Sequence, residues 1–278
     1  MTTNLGTFGV WAHTADLSPE LAIELERLGY GTVWVGGSPD ADLAIVDDLL
    51  AATERLRVAT GIVNIWTSPA DQVAASYHRI DQHFPGRFVL GVGVGHPESR
   101  TDYDHPYEAL EHYLDVLDAE GVPANRRVLA ALGPRVLRLA ADRSAGAHPY
   151  LTTPEHTRLA RQILGSDRLL APEHKVVLDP NPARARELGR ARVANPYLGL
   201  RNYTANLRRL GFGDDDLAGT GTDRLVDALV AHGEADAVAH QLTEHVRAGA
   251  DHVAVQLVTP PGASRLDGFR RLAPALFG

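Results

Sequence analysis

Short apolar runs alternate with amphipathic segments from one end of the chain to the other. Each apolar run has the length of a buried strand, and each following segment spaces its apolar residues as a one-sided helix does. The predicted strands are 5–11, 32–37, 57–63, 87–93, 127–132, 147–151, 171–179 and 252–258. A helix between two strands returns the chain to the same end of the sheet, so the sheet is predicted to be parallel. Eight such units predict an α/β fold of the (β/α)8 TIM-barrel type, with an open doubly wound sheet as the alternative.

Helix signals support this pattern. Ser18 is suited to cap the first helix, Pro19 to occupy its first position and Gly29 to end it. Further helices are expected between the strands, and the last third of the chain has several. One helix is expected over 42–56, and the later ones are expected over 182–210, 222–232 and 234–248.

Composition narrows the possible classes of function. The formal net charge of −8 over 278 residues argues against nucleic-acid binding, and the absence of cysteine excludes disulfides and thiolate chemistry. No apolar run approaches the ~18 residues of a membrane span. The first residues lack the features of a signal peptide, so a cytoplasmic protein is expected. No Pro/Gly-rich linker divides the chain, and a single domain over 1–278 is expected.

The stretch RFVLGVGVGHPES, residues 87–99, places glycines at 91, 93 and 95 and then His96. Glycine weakens a strand unless something must lie close to its backbone. We interpret the spacing as leaving room for a planar ring, and the alternative is that small residues only help the strand pack in a barrel. The spacing is not GxGxxG, because His96 and Pro97 stand where a tight turn into a helix would be needed.

Polar and glycine residues follow other predicted strands, where barrels bind their ligands. Asn64 could bind the carbonyl groups of a heterocycle or cap its own turn. Gly133 could leave backbone N–H groups open to a phosphate or serve only the turn. His148 and Tyr150 end another strand, although a lone histidine there is more often structural. The thirteen histidines include no HExxH pattern, so no metal site is expected.

Several blocks together resemble the bacterial-luciferase-like superfamily, most closely its branch of probable coenzyme F420-dependent oxidoreductases. The blocks are TVWVGG, VATGIVNIWTSPADQVAASYHRIDQHFPGRFVLGVGVGHPE, LAALGPRVLRLAADRSAGAHPYLTTPEHTRLA, LAPEHKVVLDPNPARARELGR and AGADHVAVQL. The resemblance implies a (β/α)8 barrel that holds a flavin or deazaflavin across the carboxyl ends of its strands. It also implies a small-molecule substrate.

The resemblance carries over to particular positions. It implies a non-proline cis peptide near Gly61–Ile62 behind the cofactor ring and places His96 where some relatives have an acidic proton donor. His96 is therefore predicted to be the catalytic proton donor, and the alternative is that it only contacts the cofactor or caps a loop. It implies that the cofactor is contacted by Asn64 and by the backbone of Ala130, Ala131, Leu132 and Gly133. Further expected cofactor contacts are Ser38, Gly93, Ser99, His148 and Tyr150.

Two departures from the family pattern bear on the chemistry. Strand two ends in Gly36, Gly37 and Ser38, where many relatives have an Asp or His beside the ring, and the insertions that cover the substrate look reduced. Hydride transfer between reduced F420 and a small organic substrate is the leading hypothesis. The alternatives are an FMN-dependent monooxygenase and a non-catalytic flavin-binding barrel. The family usually pairs through helices two and three, so a homodimer through 44–53 and 70–77 is expected.

Overall fold

The computed structural model describes residues 4–96 and 105–278, and its core is a ring of parallel strands. The strands are β1 (Phe8–His13), β2 (Thr32–Gly36), β3 (Arg57–Thr60), β4 (Val63–Asn64), β5 (Phe88–Gly93), β6 (Arg127–Leu129), β7 (Gly146–Ala147), β8 (Leu169–Leu170), β9 (Glu173–Val177), β10 (Val230–His232) and β11 (Val253–Leu257). Every strand pairing within these residues is parallel, as predicted.

The ring closes through one continuous stretch of chain, residues 169–177. At its start, β8 pairs with β7, and further along β9 pairs with β11, which in turn pairs with β1. Counting β3 with its extension β4 as one position and β8 with β9 as another, and leaving out the short β10 that pairs with β9 at the end of the strand order, gives eight barrel positions. The (β/α)8 barrel is therefore confirmed, and the open sheet is wrong.

Helices surround the ring. They are α1 (Pro19–Arg27), α2 (Ala44–Ala51), α3 (Ala70–His83), α4 (Pro106–Ala119), α5 (Pro134–Arg143), α6 (Pro154–Leu164), α7 (Pro182–Ala194), α8 (Arg201–Arg209), α9 (Asp214–Leu217), α10 (Asp223–Leu229), α11 (Ala235–Arg247) and α12 (Arg265–Phe277). The capping prediction for α1 is confirmed, since the Ser18 hydroxyl accepts from Leu21 N at 3.2 Å. Among the described helices, none has the length and apolar character needed to cross a bilayer.

Three of the helix predictions need correction. The segment 222–232 is helical only to Leu229, because 230–232 pair as β10 with the outer edge of β9, and sheet pairing overrides the local helical pattern. The helix expected over 182–210 is broken at Pro196, which has no N–H for a helical bond. The helix expected over 42–56 is shorter and ends at Ala51.

Packing divides the apolar residues into an outer and an inner set. Most of the core lies between the ring and its helices, whereas a small cluster that includes Trp11, Trp34 and Val128 fills the inside of the barrel. A third cluster joins α7, α8 and α10, which all belong to the long connection between β9 and β11. This connection lies over the carboxyl ends of the strands, where the cavity described next is found.

Candidate functional site

A cavity of about 570 Å³ opens at the carboxyl ends of the strands. The residues around it come from six of the eight barrel positions, from α4 and α5, and from Tyr197 and α8 of the β9–β11 connection. Its lining comprises Trp11, His13, Gly37, Ser38, Gly61, Ile62, Asn64, Val94, Gly95, His96, Pro106, Tyr107, Leu110, Ala130, Ala131, Leu132, Gly133, Val136, His148, Tyr150, Tyr197, Asn202 and Tyr203. None of these described lining residues is Asp, Glu, Lys or Arg, so the wall presents aromatic rings, imidazoles, amides and backbone groups to a ligand.

The structure brings the predicted site residues together around this cavity. Eleven of the thirteen line it: Ser38, Gly61, Ile62, Asn64, His96, Ala130, Ala131, Leu132, Gly133, His148 and Tyr150. Gly93 lies just behind the wall, under Ala130 and Ile62. Ser99, with Pro97 and Glu98, lies outside the described residues. Their roles toward a ligand remain predictions.

The glycines of β5 make room for protein atoms. A Cβ on Gly91 would overlap the carbonyl oxygen of Thr60. The Thr60 hydroxyl also donates to Gly91 O at 2.9 Å and accepts from Gly91 N at 2.8 Å. A Cβ on Gly93 would lie 2.9 Å from Ala130 Cβ and 3.1 Å from Ile62 Cγ1. The interpretation that these two glycines leave room for a ring is therefore wrong. They let the end of β3 approach β5 closely enough for Ile62 to reach the cavity wall.

Gly95 and Asn64 form the next part of the wall. Gly95 has a left-handed φ of 61°, and a Cβ there would meet Asn64 Nδ2 at 2.7 Å. Asn64 Oδ1 accepts from Trp66 N at 3.0 Å, which is the turn-capping role considered as the alternative for this residue. The side chain still lines the cavity. Between β3 and β4, the Gly61–Ile62 peptide bond is cis, as the resemblance implies.

The glycines at the end of β2 accommodate two side chains from β1. A Cβ on Gly36 would overlap the Trp11 indole, and one on Gly37 would overlap the His13 imidazole. Trp11 Nε1 donates to the Gly61 carbonyl at 3.0 Å. His13 Nδ1 accepts from Ala15 N at 3.3 Å, so in the neutral ring the hydrogen is on Nε2. An imidazole therefore stands beside the position where relatives carry a strand-two side chain.

His96 follows β5 on the cavity wall and is half-buried. Its ring centroid lies 5.4 Å from that of Tyr203, at an interplanar angle of 52°. Tyr203 belongs to α8, so the β9–β11 connection supplies the aromatic contact of the predicted proton donor.

The segment after β6 presents backbone to the cavity. Gly133 is the N-cap of α5 and makes no side-chain capping hydrogen bond, so the first N–H groups of this ten-residue helix have no side-chain acceptor in the cap position. Arg209 Nη2 lies 3.7 Å from the place where a Gly133 Cβ would be. The helix terminus and this guanidinium both give the Gly133 side of the cavity a positive character.

His148 ends β7 at the floor of the cavity and is 1% exposed. Its Nδ1 lies 2.6 Å from the Ala171 carbonyl oxygen, and its ring stacks on Trp34 with centroids 3.9 Å apart. Burial lowers the pKa of His148 to about 3, so the ring is neutral at physiological pH.

Three tyrosines form one part of the cavity wall. The Tyr197 hydroxyl donates to the Tyr150 hydroxyl at 3.0 Å, and the latter donates to Gln256 Oε1 at 2.9 Å. The Tyr203 ring meets the Tyr197 ring edge-on at 5.0 Å. Burial raises the pKa of Tyr197 to about 12 and that of Tyr150 well above its usual value, so both phenols stay protonated donors.

A buried ion pair supports this wall from inside the barrel. Lys175 Nζ lies 3.1 Å from Glu173 Oε1 and 4.0 Å from the centroid of the Tyr150 ring, and both charged side chains are almost fully buried. Glu173 Oε2 also accepts from Leu151 N at 3.0 Å. Burial raises the pKa of Glu173 and lowers that of Lys175, while their mutual attraction opposes both shifts.

Several lining residues were not predicted from the sequence. The consecutive glycines Gly36 and Gly37 imply bulky side chains on a neighbouring strand, and this pattern could have pointed to Trp11 and His13. Tyr197, Asn202 and Tyr203 gave no such signal, because they lie in a connection far from any strand end. No group of three or more His, Asp or Glu side chains in residues 4–96 and 105–278 is placed to hold a metal ion.

Comparison with known proteins supports the fold and the resemblance. Residues 8–120 match the family described as luciferase-like monooxygenase. The 4-hydroxyprotoasukamycin monooxygenase of Streptomyces nodosus subsp. asukaensis is 35% identical over 83 residues, a match that spans 27% of this chain and 22% of that protein's length.

Solved structures of similar fold cover nearly the whole chain. An F420-dependent secondary alcohol dehydrogenase in complex with an F420–acetone adduct has a TM-score of 0.74 at 15% identity, covering 98% of this chain and 99% of its own. The coenzyme F420-dependent tetrahydromethanopterin reductase of Methanopyrus kandleri has a TM-score of 0.70 at 16% identity, covering 97% of this chain and 98% of its own. The FMN-bound oxygenating constituent of 3,6-diketocamphane monooxygenase from Pseudomonas putida has a TM-score of 0.70 at 13% identity, covering 96% of each chain. In sequence over residues 8–120 and in fold over nearly its whole length, this chain is similar to the luciferase-like proteins, which confirms the resemblance to that superfamily.

Proposed function

We propose that the protein is an oxidoreductase that holds a flavin-type cofactor in the strand-end cavity and acts on a small organic molecule. The observation that carries the proposal is the convergence of eleven predicted site residues on one cavity of about 570 Å³. This volume lies within the usual range for small-molecule and cofactor sites, roughly 300–1,000 Å³. The mixture of apolar walls with a few fixed polar groups is also typical of such sites.

The lining residues suit the parts of a flavin or deazaflavin. Ile62, Ala130 and Val94 offer apolar surface for a ring, and Asn64 offers an amide beside it. The N-terminus of α5 at Gly133, with Arg209 close by, suits the anionic part of the cofactor. Such a cofactor would supply the hydride or electron chemistry, while the chain binds it, excludes water and moves protons.

We assign proton transfer to His96, with His13 as a second imidazole on the wall. Hydride delivery to a carbonyl or polarised double bond leaves negative charge that needs a proton, and imidazole titrates close to neutral pH. The hydroxyls of Tyr197 and Tyr150 are held neutral by burial and already donate to Tyr150 and Gln256, so they would not release a proton at physiological pH.

Within this class we favour coenzyme F420 as cofactor and hydride transfer as the reaction. The sequence blocks resemble the F420-dependent branch, and two of the structural relatives described above are F420-dependent enzymes. FMN-dependent monooxygenation is the second candidate, because the matched family and the Streptomyces relative are described as monooxygenases. A non-catalytic flavin-binding barrel was suggested by the missing strand-two side chain, and His13 weakens that argument because it lies at that place.

Oxygen dependence separates the two enzymatic candidates. Purified protein is mixed with chemically reduced F420 or FMN and a panel of small ketones, aldehydes and enones, with and without oxygen. The proposal predicts substrate-dependent oxidation of reduced F420 that proceeds without oxygen. Product formation with reduced FMN only when oxygen is present would instead assign the monooxygenase function.

We also propose that residues 1–278 act as one domain and that the protein is a homodimer. The inward faces of α2 and α3 are buried against the barrel, so a dimer would use outward residues such as Ala44, Ala51 and Ala75. These small side chains permit close helix approach. Light scattering at micromolar concentration should give about twice 30.0 kDa, and a mass near 30.0 kDa would refute the dimer.

A further inference from the structure

The imidazole of His148 is fixed in position from two sides. The Trp34 indole stacks on one face at an interplanar angle of 10°. At the ring edge, Nδ1 lies 2.6 Å from the Ala171 carbonyl oxygen. A carbonyl oxygen can only accept, so the hydrogen is on Nδ1, and Nε2 of the neutral ring carries a free lone pair.

This nitrogen lies beside Gly61, another residue of the cavity wall. His148 lines the cavity floor, and its Nε2 lies 3.1 Å from the position that a Cβ on Gly61 would occupy. Nε2 is shielded from solvent, and no group in residues 4–96 and 105–278 donates to it. A buried acceptor left without a donor costs about 1–3 kcal/mol. A bound molecule with a donor at this place would recover that free energy.

The other deeply buried histidines show that this is not a general feature of the core. Both ring nitrogens of His252 are engaged, by Gly6 O and by Trp34 Nε1. Both nitrogens of His245 are engaged as well, by Thr157 and by His174. His156 also has an unpartnered Nδ1 among the described residues, but it does not line the cavity.

We propose that His148 Nε2 accepts a hydrogen bond from an N–H or O–H group of the molecule bound in the cavity, and so selects a ligand with a neutral donor beside Gly61. The inference rests on the proposed function and narrows its ligand chemistry. The donor is either the ring N–H of the cofactor's pyrimidine portion or the hydroxyl of an alcohol substrate. A ligand that presents only acceptors at this wall binds more weakly.

The direct test is ¹⁵N NMR of the wild-type protein with ¹⁵N-labelled histidine imidazoles. Oxidised F420 is added first, and 2-propanol is then added to the F420-saturated protein. A shift of the unprotonated Nε2 resonance on F420 addition assigns the donor to the cofactor ring, and a shift only on 2-propanol addition assigns it to the alcohol. If F420 fluorescence shows binding but the Nε2 resonance stays in place in both steps, the inference is overturned and the proposed function is not.

A variant adds a second, independent measurement. His148→Phe keeps a flat ring against Trp34 but removes the acceptor, and His174→Phe is the control because His174 is buried outside the cavity wall. If the donor is the cofactor ring, His148→Phe should bind F420 roughly 10- to 100-fold more weakly, with the control within about twofold of wild type. N3-methylated FMN lacks the ring donor, so wild type and His148→Phe should bind it with similar affinity in a parallel titration. Equal loss in both variants would overturn the inference, and failure of wild type to bind either cofactor would reject the proposed function itself.

Discussion

Replacing Lys175 with Met should produce a stability loss that grows with pH. Methionine keeps the apolar length of the side chain beneath Tyr150 but leaves Glu173 in the barrel interior with no cation. Removing one partner of a buried ion pair costs roughly 3–5 kcal/mol, because the remaining charge is uncompensated. Glu173 can avoid that penalty only by taking up a proton.

The size of the effect follows from that protonation. Holding a carboxyl protonated above its unfolded pKa of about 4.3 costs about 1.4 kcal/mol per pH unit, which amounts to about 3.7 kcal/mol at pH 7. Burial already raises the native pKa of Glu173 in the wild type, and loss of Lys175 raises it further. A group with a raised native pKa stabilises the fold below its unfolded pKa, and that stability is lost as pH rises. The deficit of Lys175→Met should therefore be about 0.5 kcal/mol at pH 4.5 and about 3–4 kcal/mol at pH 7.

The assay is urea unfolding followed by tryptophan fluorescence at several pH values between 4.5 and 7.5. The matched control is the double variant Glu173→Gln/Lys175→Met, which has no ionisable group at the site and should lose the pH-dependent part of the deficit. A Lys175→Met deficit below about 1 kcal/mol at pH 7, or one that does not change with pH, would refute the view that these two charges are fully desolvated.

Variants at Gly91, His96 and His245 test other parts of the structure. Gly91→Ala should destabilise the fold by about 3 kcal/mol or more, because its Cβ would overlap the Thr60 carbonyl. The control Gly199→Ala has open space around it and should change stability by less than about 0.5 kcal/mol, so similar urea midpoints for the two variants would contradict the close approach of β3 and β5. His96→Ala and His96→Gln should lose roughly 10²–10⁴-fold in turnover while cofactor affinity survives, and unchanged turnover would remove the proton-donor role. Burial holds the pKa of His245 well below its usual value, so only the unfolded state takes up a proton below about pH 6.5 and the free energy of unfolding should fall as pH is lowered. His245→Gln should reduce this dependence of unfolding free energy on pH by up to about 1.4 kcal/mol per pH unit, and an unaltered dependence would argue against the buried site.

The sequence predicted the barrel well because each strand is a short apolar run bounded by capping and glycine signals. The same rule predicted much of the site, since residues directly after parallel strands must meet at one end of the barrel. Asn64, His96, Gly133 and His148 were all found in this way. Local sequence is sufficient here because strand direction and strand end fix where such a residue lies.

The remaining parts depend on contacts that no local pattern contains. The glycines of β5 indicated that something lies close to the strand, but only the folded ring identifies it as Thr60 and Ile62. β10 has three residues, and its pairing with the edge of β9 is a tertiary contact. Tyr203 lies on a helix whose amphipathic pattern shows that one face is buried without showing that this face meets His96.

Charged residues inside the barrel were recognisable only in part. Glu173 and Lys175 are two residues apart, so a strand places both on the same face. That alternation predicts proximity, but a surface strand would show the same pattern. Their burial follows from the neighbouring strands and from the packing of Tyr150 above Lys175.

The central claim, that the strand-end cavity binds a deazaflavin, is tested most directly by equilibrium titration of the purified protein with oxidised F420 and with FMN. Binding is followed by cofactor absorbance and fluorescence. Ala130→Trp, which fills the cavity beside Ile62, serves as the blocked variant, and Gly199→Ala serves as its unblocked control. Saturable F420 binding is expected for wild type and control, with much weaker binding to the blocked variant and weaker binding of FMN throughout. Failure of wild type to bind either cofactor, or F420 binding that Ala130→Trp leaves unchanged, would contradict it.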